Sequence, residues 1–118
     1  MDLDDAEDAY KAIARRRDGR CRWPHCELCR RYKKLPLDVA HVLQAKGMSG
    51  DRTLVRSHDQ RLMLLDRITH GHQENHDKVV VALTDEGTAG PCEFWLRDGM
   101  GVLFLVARES APFVYERD

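Results

Sequence analysis

Gln60-Arg61-Leu62-Met63-Leu64-Leu65-Asp66-Arg67-Ile68-Thr69-His70-Gly71 is the stretch on which the fold turns. Its unbroken apolar run at 62–65 suits a strand covered on both faces and a buried helical segment equally well, since periodicity does not separate them. Capping arithmetic favours one helix over 58–70, with Ser57 at its start and Gly71 closing it. The other parse is a buried strand over the apolar run. Upstream, Leu35, Leu37 and Val39, then Val42 and Leu43, predict a short strand over 35–43 with His41 near its end. The intervening 44–57 holds Gly47 and Gly50 and few apolar residues, so it reads as a long loop, and loops of that length are usually functional.

On the N-terminal side, Ala6, Ala9, Tyr10, Ile13 and Ala14 recur at helical spacing, which predicts a helix over 4–17 that Asp18-Gly19 ends. Next comes Cys21-Arg-Trp-Pro-His-Cys26-Glu-Leu-Cys29, where Pro24 forbids a regular helix and forces a knuckle-like turn. Past Asp77 the pattern changes to β: 79–84, a turn over 85–91, then 92–97 and 102–107, an expected antiparallel meander. The 118 residues amount to a single domain, with its core at about 20–77 and a β extension at about 78–118.

The net charge of −1 conceals a strong asymmetry. Five of the first eight residues are acidic, whereas 15–34 carries nine Lys or Arg against Asp18 and Glu27. Such a belt is dense enough to neutralise phosphates, and equally suits a solvated surface. Five of the six histidines fall between His41 and His76, and histidine is both the commonest metal-binding side chain and the commonest general base near neutral pH. No apolar run is long enough to cross a bilayer and the N-terminus is acidic, so a soluble, cytoplasmic protein without membrane partners is expected. In a reducing compartment the clustered cysteines favour metal over disulfides.

The order Leu37-Asp38-Val39-Ala40-His41-Val42, Gly47-Met48-Ser49-Gly50-Asp51-Arg52, the run 62–65 and His70, preceded by cysteines, resembles the HNH endonucleases, in particular small phage-type members. The resemblance spans about 20–76. It implies an α+β chain with a ββα-metal core, and so selects the parse with a strand over 61–65 and a helix from about Asp66. It also implies a metal-dependent hydrolase of DNA phosphodiester bonds, in which His41 is the general base and His70 a metal ligand on the helix.

Three positions depart from the family pattern. Ala40 replaces the usual ligand before the base; Asp38 shares its strand face by alternation and is the candidate replacement. Arg61 stands where the family has the asparagine that orients the base, leaving Gln60 or His58 nearby. Asp66 and Thr69 occupy the positions of a second cysteine pair, so Cys21, Cys26 and Cys29 suit a structural Zn²⁺ once Asp66, His25 or a downstream histidine completes the tetrahedron. A helix continuing through Gly71 would let His70 with His76 or Asp66 surround one ion.

The expected cofactors are thus a divalent ion (Mg²⁺, Mn²⁺, Zn²⁺ or Ni²⁺) at the histidine site and a structural zinc at the knuckle. The expected partner is DNA, held by Arg15, Arg16, Arg17, Arg30, Arg31, Lys33 and Lys34 through its backbone phosphates. The alternatives are a module of the same fold that has lost catalysis, marked by Ala40, Arg61 and Asp66, and a zinc-stabilised scaffold with no nucleic-acid role.

Overall fold

The computed structural model describes residues 3–46, 53–56, 61–76, 78–84 and 90–110. Helix α1 (Leu3–Asp18) is followed by a short α2 (Glu27–Arg31), then by strands β1 (Leu37–His41), β2 (Leu43–Lys46), β3 (Thr53–Arg56) and β4 (Leu62–Asp66). Helix α3 (Arg67–Asn75) and strands β5 (Val79–Leu83), β6 (Pro91–Arg97) and β7 (Leu103–Ser110) complete a small α+β chain. β1 and β4 form an antiparallel pair with Leu37 opposite Asp66 and His41 opposite Leu62. The other five strands form one sheet in the order β3-β2-β5-β6-β7, antiparallel except where β2 runs parallel to β5.

β4 settles the ambiguity of 58–70 in favour of a strand at 62–66 and a helix from Arg67. All five of its residues are buried. Met63 and Leu65 enter a core with Ala40, Val42, Val81, Leu83 and Phe94. Leu62 and Leu64 point the other way by strand alternation, toward the side on which α1 packs with its buried Ala14. A strand covered on both faces carries no alternation in its sequence.

A two-stranded sheet has open edges, and a buried edge must find hydrogen-bond partners. On β4 the end of α1 and the segment after it supply them. The Asp18 carboxylate accepts from Leu64 N at 2.9 Å, Arg22 N donates to Leu64 O at 2.8 Å, and Arg17 donates to Leu62 O. Gly19 takes a left-handed φ of 64°, which ends α1 and turns the chain onto this edge.

The predicted long loop over 44–57 is corrected at its ends, because β2 and β3 pair there as a hairpin and β2 joins β5. Gly71 does not terminate α3, which continues to Asn75 with His76 as its C-cap. The Gly47–Arg52 motif, His58, Gln60 and most of the predicted turn over 85–91 lie outside the described residues. The meander is present as β5, β6 and β7.

Candidate metal centre and histidine pair

Three stretches of chain bring the thiols and Asp66 together. Arg22 is tied to Leu64, which fixes Cys21 against the end of β4, and Asp66 N donates to Cys21 Sγ at 3.2 Å. The turn at Pro24 and His25, the latter with φ of 49°, reverses the chain so that Cys26 opens α2. One helical turn later comes Cys29. Asp66 ends β4 and caps α3.

The Asp66 side chain is fully buried and divides its two oxygens between two tasks. Oδ1 accepts from Thr69 N at 2.8 Å, the N-cap bond of α3. Oδ2 faces the thiols, 3.1 Å from Cys26 Sγ, 3.3 Å from Cys21 Sγ and 3.9 Å from Cys29 Sγ, and accepts from Thr69 Oγ1 at 2.7 Å. The four donor atoms lie within 4.8 Å of one another. A tetrahedral ion with Zn–S bonds of about 2.3 Å needs ligand separations of roughly 3.8 Å, so the set is close enough to hold a metal ion. Thiolates with a carboxylate suit Zn²⁺, and the Thr69 hydroxyl would orient the carboxylate from outside the ligand shell.

Without a metal, protons occupy the cluster. Burial is the main cause that pushes the Cys21 thiol far above its ordinary range, and burial also takes Cys29 up to about 11. Burial works against ionisation of Asp66 too, but the Thr69 amide and hydroxyl and the donating thiols hold its carboxyl below the ordinary value. Because the thiols are raised in the fold, the stability they contribute is complete below 9.0 and is lost as pH rises toward 11. The depressed Asp66 contributes above 3.8 and its share is lost as pH falls through the lower folded value. Metal binding must expel the thiol protons, so apparent Zn²⁺ affinity is expected to rise by roughly tenfold or more per pH unit between about 6 and 8. Calorimetry in buffers of different ionisation enthalpy checks this. Release of no protons per zinc would exclude the thiols as ligands.

The second arrangement lies between β1 and α3. His70 Nδ1 is 3.1 Å from Asp38 Oδ2, and His70 Nε2 is 3.6 Å from Glu74 Oε1, one helical turn on. Gln73 Nε2 donates to the His41 main-chain oxygen at 2.9 Å, so α3 runs along β1 from Asp38 to its end. Arg67 pairs with Asp38 at 3.4 Å from the exposed side.

Asp38 and His70 therefore meet, as a hydrogen-bonded pair. The ion set that added His76 or Asp66 to His70 does not form, because Asp66 turns back to cap α3 and His76 lies beyond its last turn, beside His72 at a ring separation of 5.8 Å. Among the described residues the thiol cluster is the one group of three or more donors close enough to share an ion. Glu74 escaped the sequence reading, although its spacing of four from His70 placed it on the same helix face. Of the candidates left open for the knuckle's fourth ligand, the structure brings in Asp66 and leaves His25 exposed. Cys92, buried in β6, stands in the core.

The basic belt divides. Arg16, Arg31, Lys33 and Lys34 are exposed, Arg30 is exposed and pairs with Glu27 at 3.2 Å, and Arg15 donates to Leu37 O at 3.3 Å. Arg17 is the exception: it turns inward to Asp18 and Leu62 O and is a structural cation rather than a phosphate contact.

No protein-family model, curated protein or solved structure matches this chain. No helix among the described residues is long and apolar enough to cross a membrane.

Proposed function

We propose that the chain is a metal-dependent nuclease of the HNH type, cutting nucleic-acid phosphodiester bonds at the β1–α3 contact. The observation that carries the reading is the Asp38–His70 bond, which joins the first strand of an antiparallel pair to the helix directly following the second. Asp38 and His70 are the two residues that would hold a divalent ion, with water and substrate oxygens as its further ligands, while Glu74 stands beside His70 Nε2 at 3.6 Å. Such an ion supplies charge stabilisation at the phosphoryl oxygens and the leaving oxygen.

Within this reading the chain's own groups divide the remaining work. His41 takes a proton from the attacking water. Gln73, by bonding the His41 carbonyl, keeps the end of β1 in register with His70. The thiol–Asp66 cluster is a structural zinc site that locks the N-terminus of α3 to the knuckle, and through β4 to β1.

Plasmid nicking with Mg²⁺, Mn²⁺, Zn²⁺ and Ni²⁺ added separately tests the assignment. At least one is expected to give cleavage well above an EDTA control. A second reading, a nucleic-acid-binding module of the same architecture without catalysis, is favoured by one observation: Ala40 is buried in the core and offers no donor atom. DNA retention at low salt with no nicking under any of the four ions would establish that reading instead.

A further inference from the structure

We propose that the open cavity beside the thiol cluster is a nucleotide site for single-stranded nucleic acid, seating a backbone phosphate on Arg20 and Lys33 and a base on Tyr32. The proposal rests on the reading that the chain acts on nucleic acid, and it names a part of the substrate for which the β1–α3 contact makes no provision. The cavity measures about 680 Å³, within the range of small-ligand sites. Arg20, Arg22, Arg30 and Lys33 line it, and Glu109 is the one carboxylate among its lining residues.

The four cations are not equivalent. Arg22 lies 4.0 Å from the Asp18 carboxylate and Arg30 is held by Glu27. Arg20 and Lys33 make no hydrogen bond or ion pair with any described residue and are exposed. They are the cations available to an outside anion. With its ligands deprotonated, a zinc-loaded cluster carries a net charge of minus two, so an anion site here is formed locally by Arg20 and Lys33 and not by a net positive lining.

Aromatic character selects a nucleotide over a bare phosphate. Tyr32 is 50% exposed at the cavity while following α2 directly, so its ring is presented without being needed by the core. Trp23, also in the lining, has its ring edge-on against Phe94, at a centroid distance of 5.6 Å. Stacking on an aromatic ring next to a cationic track is how single strands are held without base-specific contacts, and a base still paired in a duplex does not offer its face. The cavity reaches Leu37 at the start of β1, one residue before Asp38.

The test is fluorescence anisotropy on the zinc-loaded chain with a labelled octathymidylate and no added magnesium or manganese. Arg20→Gln with Lys33→Gln is expected to weaken binding about tenfold or more and to reduce the salt slope of log affinity by about 0.7, the share of one phosphate. Tyr32→Ala is expected to weaken it about fivefold with the slope unchanged. All three positions are exposed, and zinc content verifies folding. Parental affinity in both variants, or equal affinity for a decaglutamate peptide, overturns the proposal. If the cavity variants bind normally while His41→Ala abolishes nicking, the cavity assignment fails and the nuclease reading stands. If the cavity variants lose affinity while the parent gives no nicking under any of the four ions, the cavity assignment stands and the nuclease reading fails.

Discussion

Asp66→Ala is expected to abolish zinc binding at the thiol cluster and to lower stability by about 3–5 kcal/mol even before metal is added. Removal of an Asp N-cap costs about 1 kcal/mol. The same substitution leaves the Thr69 hydroxyl and the thiols of Cys21 and Cys26 without their buried acceptor. The orphaned Thr69 hydroxyl costs about 1–3 kcal/mol where water cannot replace the partner, and the two thiols, weak donors, add about 1 kcal/mol between them. Against a total folding stability of about 5–15 kcal/mol, this is a large fraction. The metal adds to the loss, because an ion that binds only the folded state stabilises it by mass action.

Two measurements check this expectation together, zinc content of the purified protein and denaturation midpoints with and without a chelator. The parent is expected to hold one zinc and to lose stability on chelation, while Asp66→Ala holds almost none and does not respond. Asp66→Cys separates the two tasks of the side chain, since a fourth thiol retains the metal but replaces a strong N-cap with a weak one. Full zinc content in Asp66→Ala at parental affinity would place the ion elsewhere.

Legibility in the sequence followed how local each determinant was. The helix over 4–17 was readable because its own residues pattern one face, and β5, buried throughout like β4, was readable from its β-branched run Val79-Val80-Val81. The run at 62–65 was not, because α1 covers one side of β4 and the core the other. β2 past Leu43, and β3 with it, were missed for a different reason: β2 is held in its sheet through parallel pairing of Leu43 and Gln44 with Ala82 and Leu83, partners nearly forty positions away, and β3 pairs on its other edge. Ser57 and Gly71 advertised the wrong helix, whereas the cap in use, Asp66, could be recognised only after 62–65 was taken as a strand. The site divides likewise. The spacing of Cys21, Cys26 and Cys29 announced a knuckle, but its fourth donor comes from the end of β4, and the fold alone chooses it over His25. Arg17 looked like its neighbours in the belt until the unpaired edge of β4 claimed it.

His41→Ala is expected to lower the nicking rate by about 10²–10⁴-fold under the best metal, the usual contribution of a positioned general base. The substitution is a clean probe. The tie between the end of β1 and α3 runs through the His41 main-chain carbonyl and Gln73, and alanine keeps that carbonyl. The side chain is half-buried at a strand end, outside the core formed by Ala40, Val42 and Met63, so the stability change is expected to stay within about 1 kcal/mol. DNA retention at low salt is expected to be unchanged. His70→Ala is the necessary companion. It removes the partner of Asp38 and is expected to raise the metal concentration needed for half-maximal nicking, a change that His41→Ala should not produce. Parental nicking by His41→Ala, with His70→Ala inactive, would keep the metal at the β1–α3 contact and move the base to another residue. Loss of folding in His41→Ala would give the imidazole a structural role in place of the chemical one.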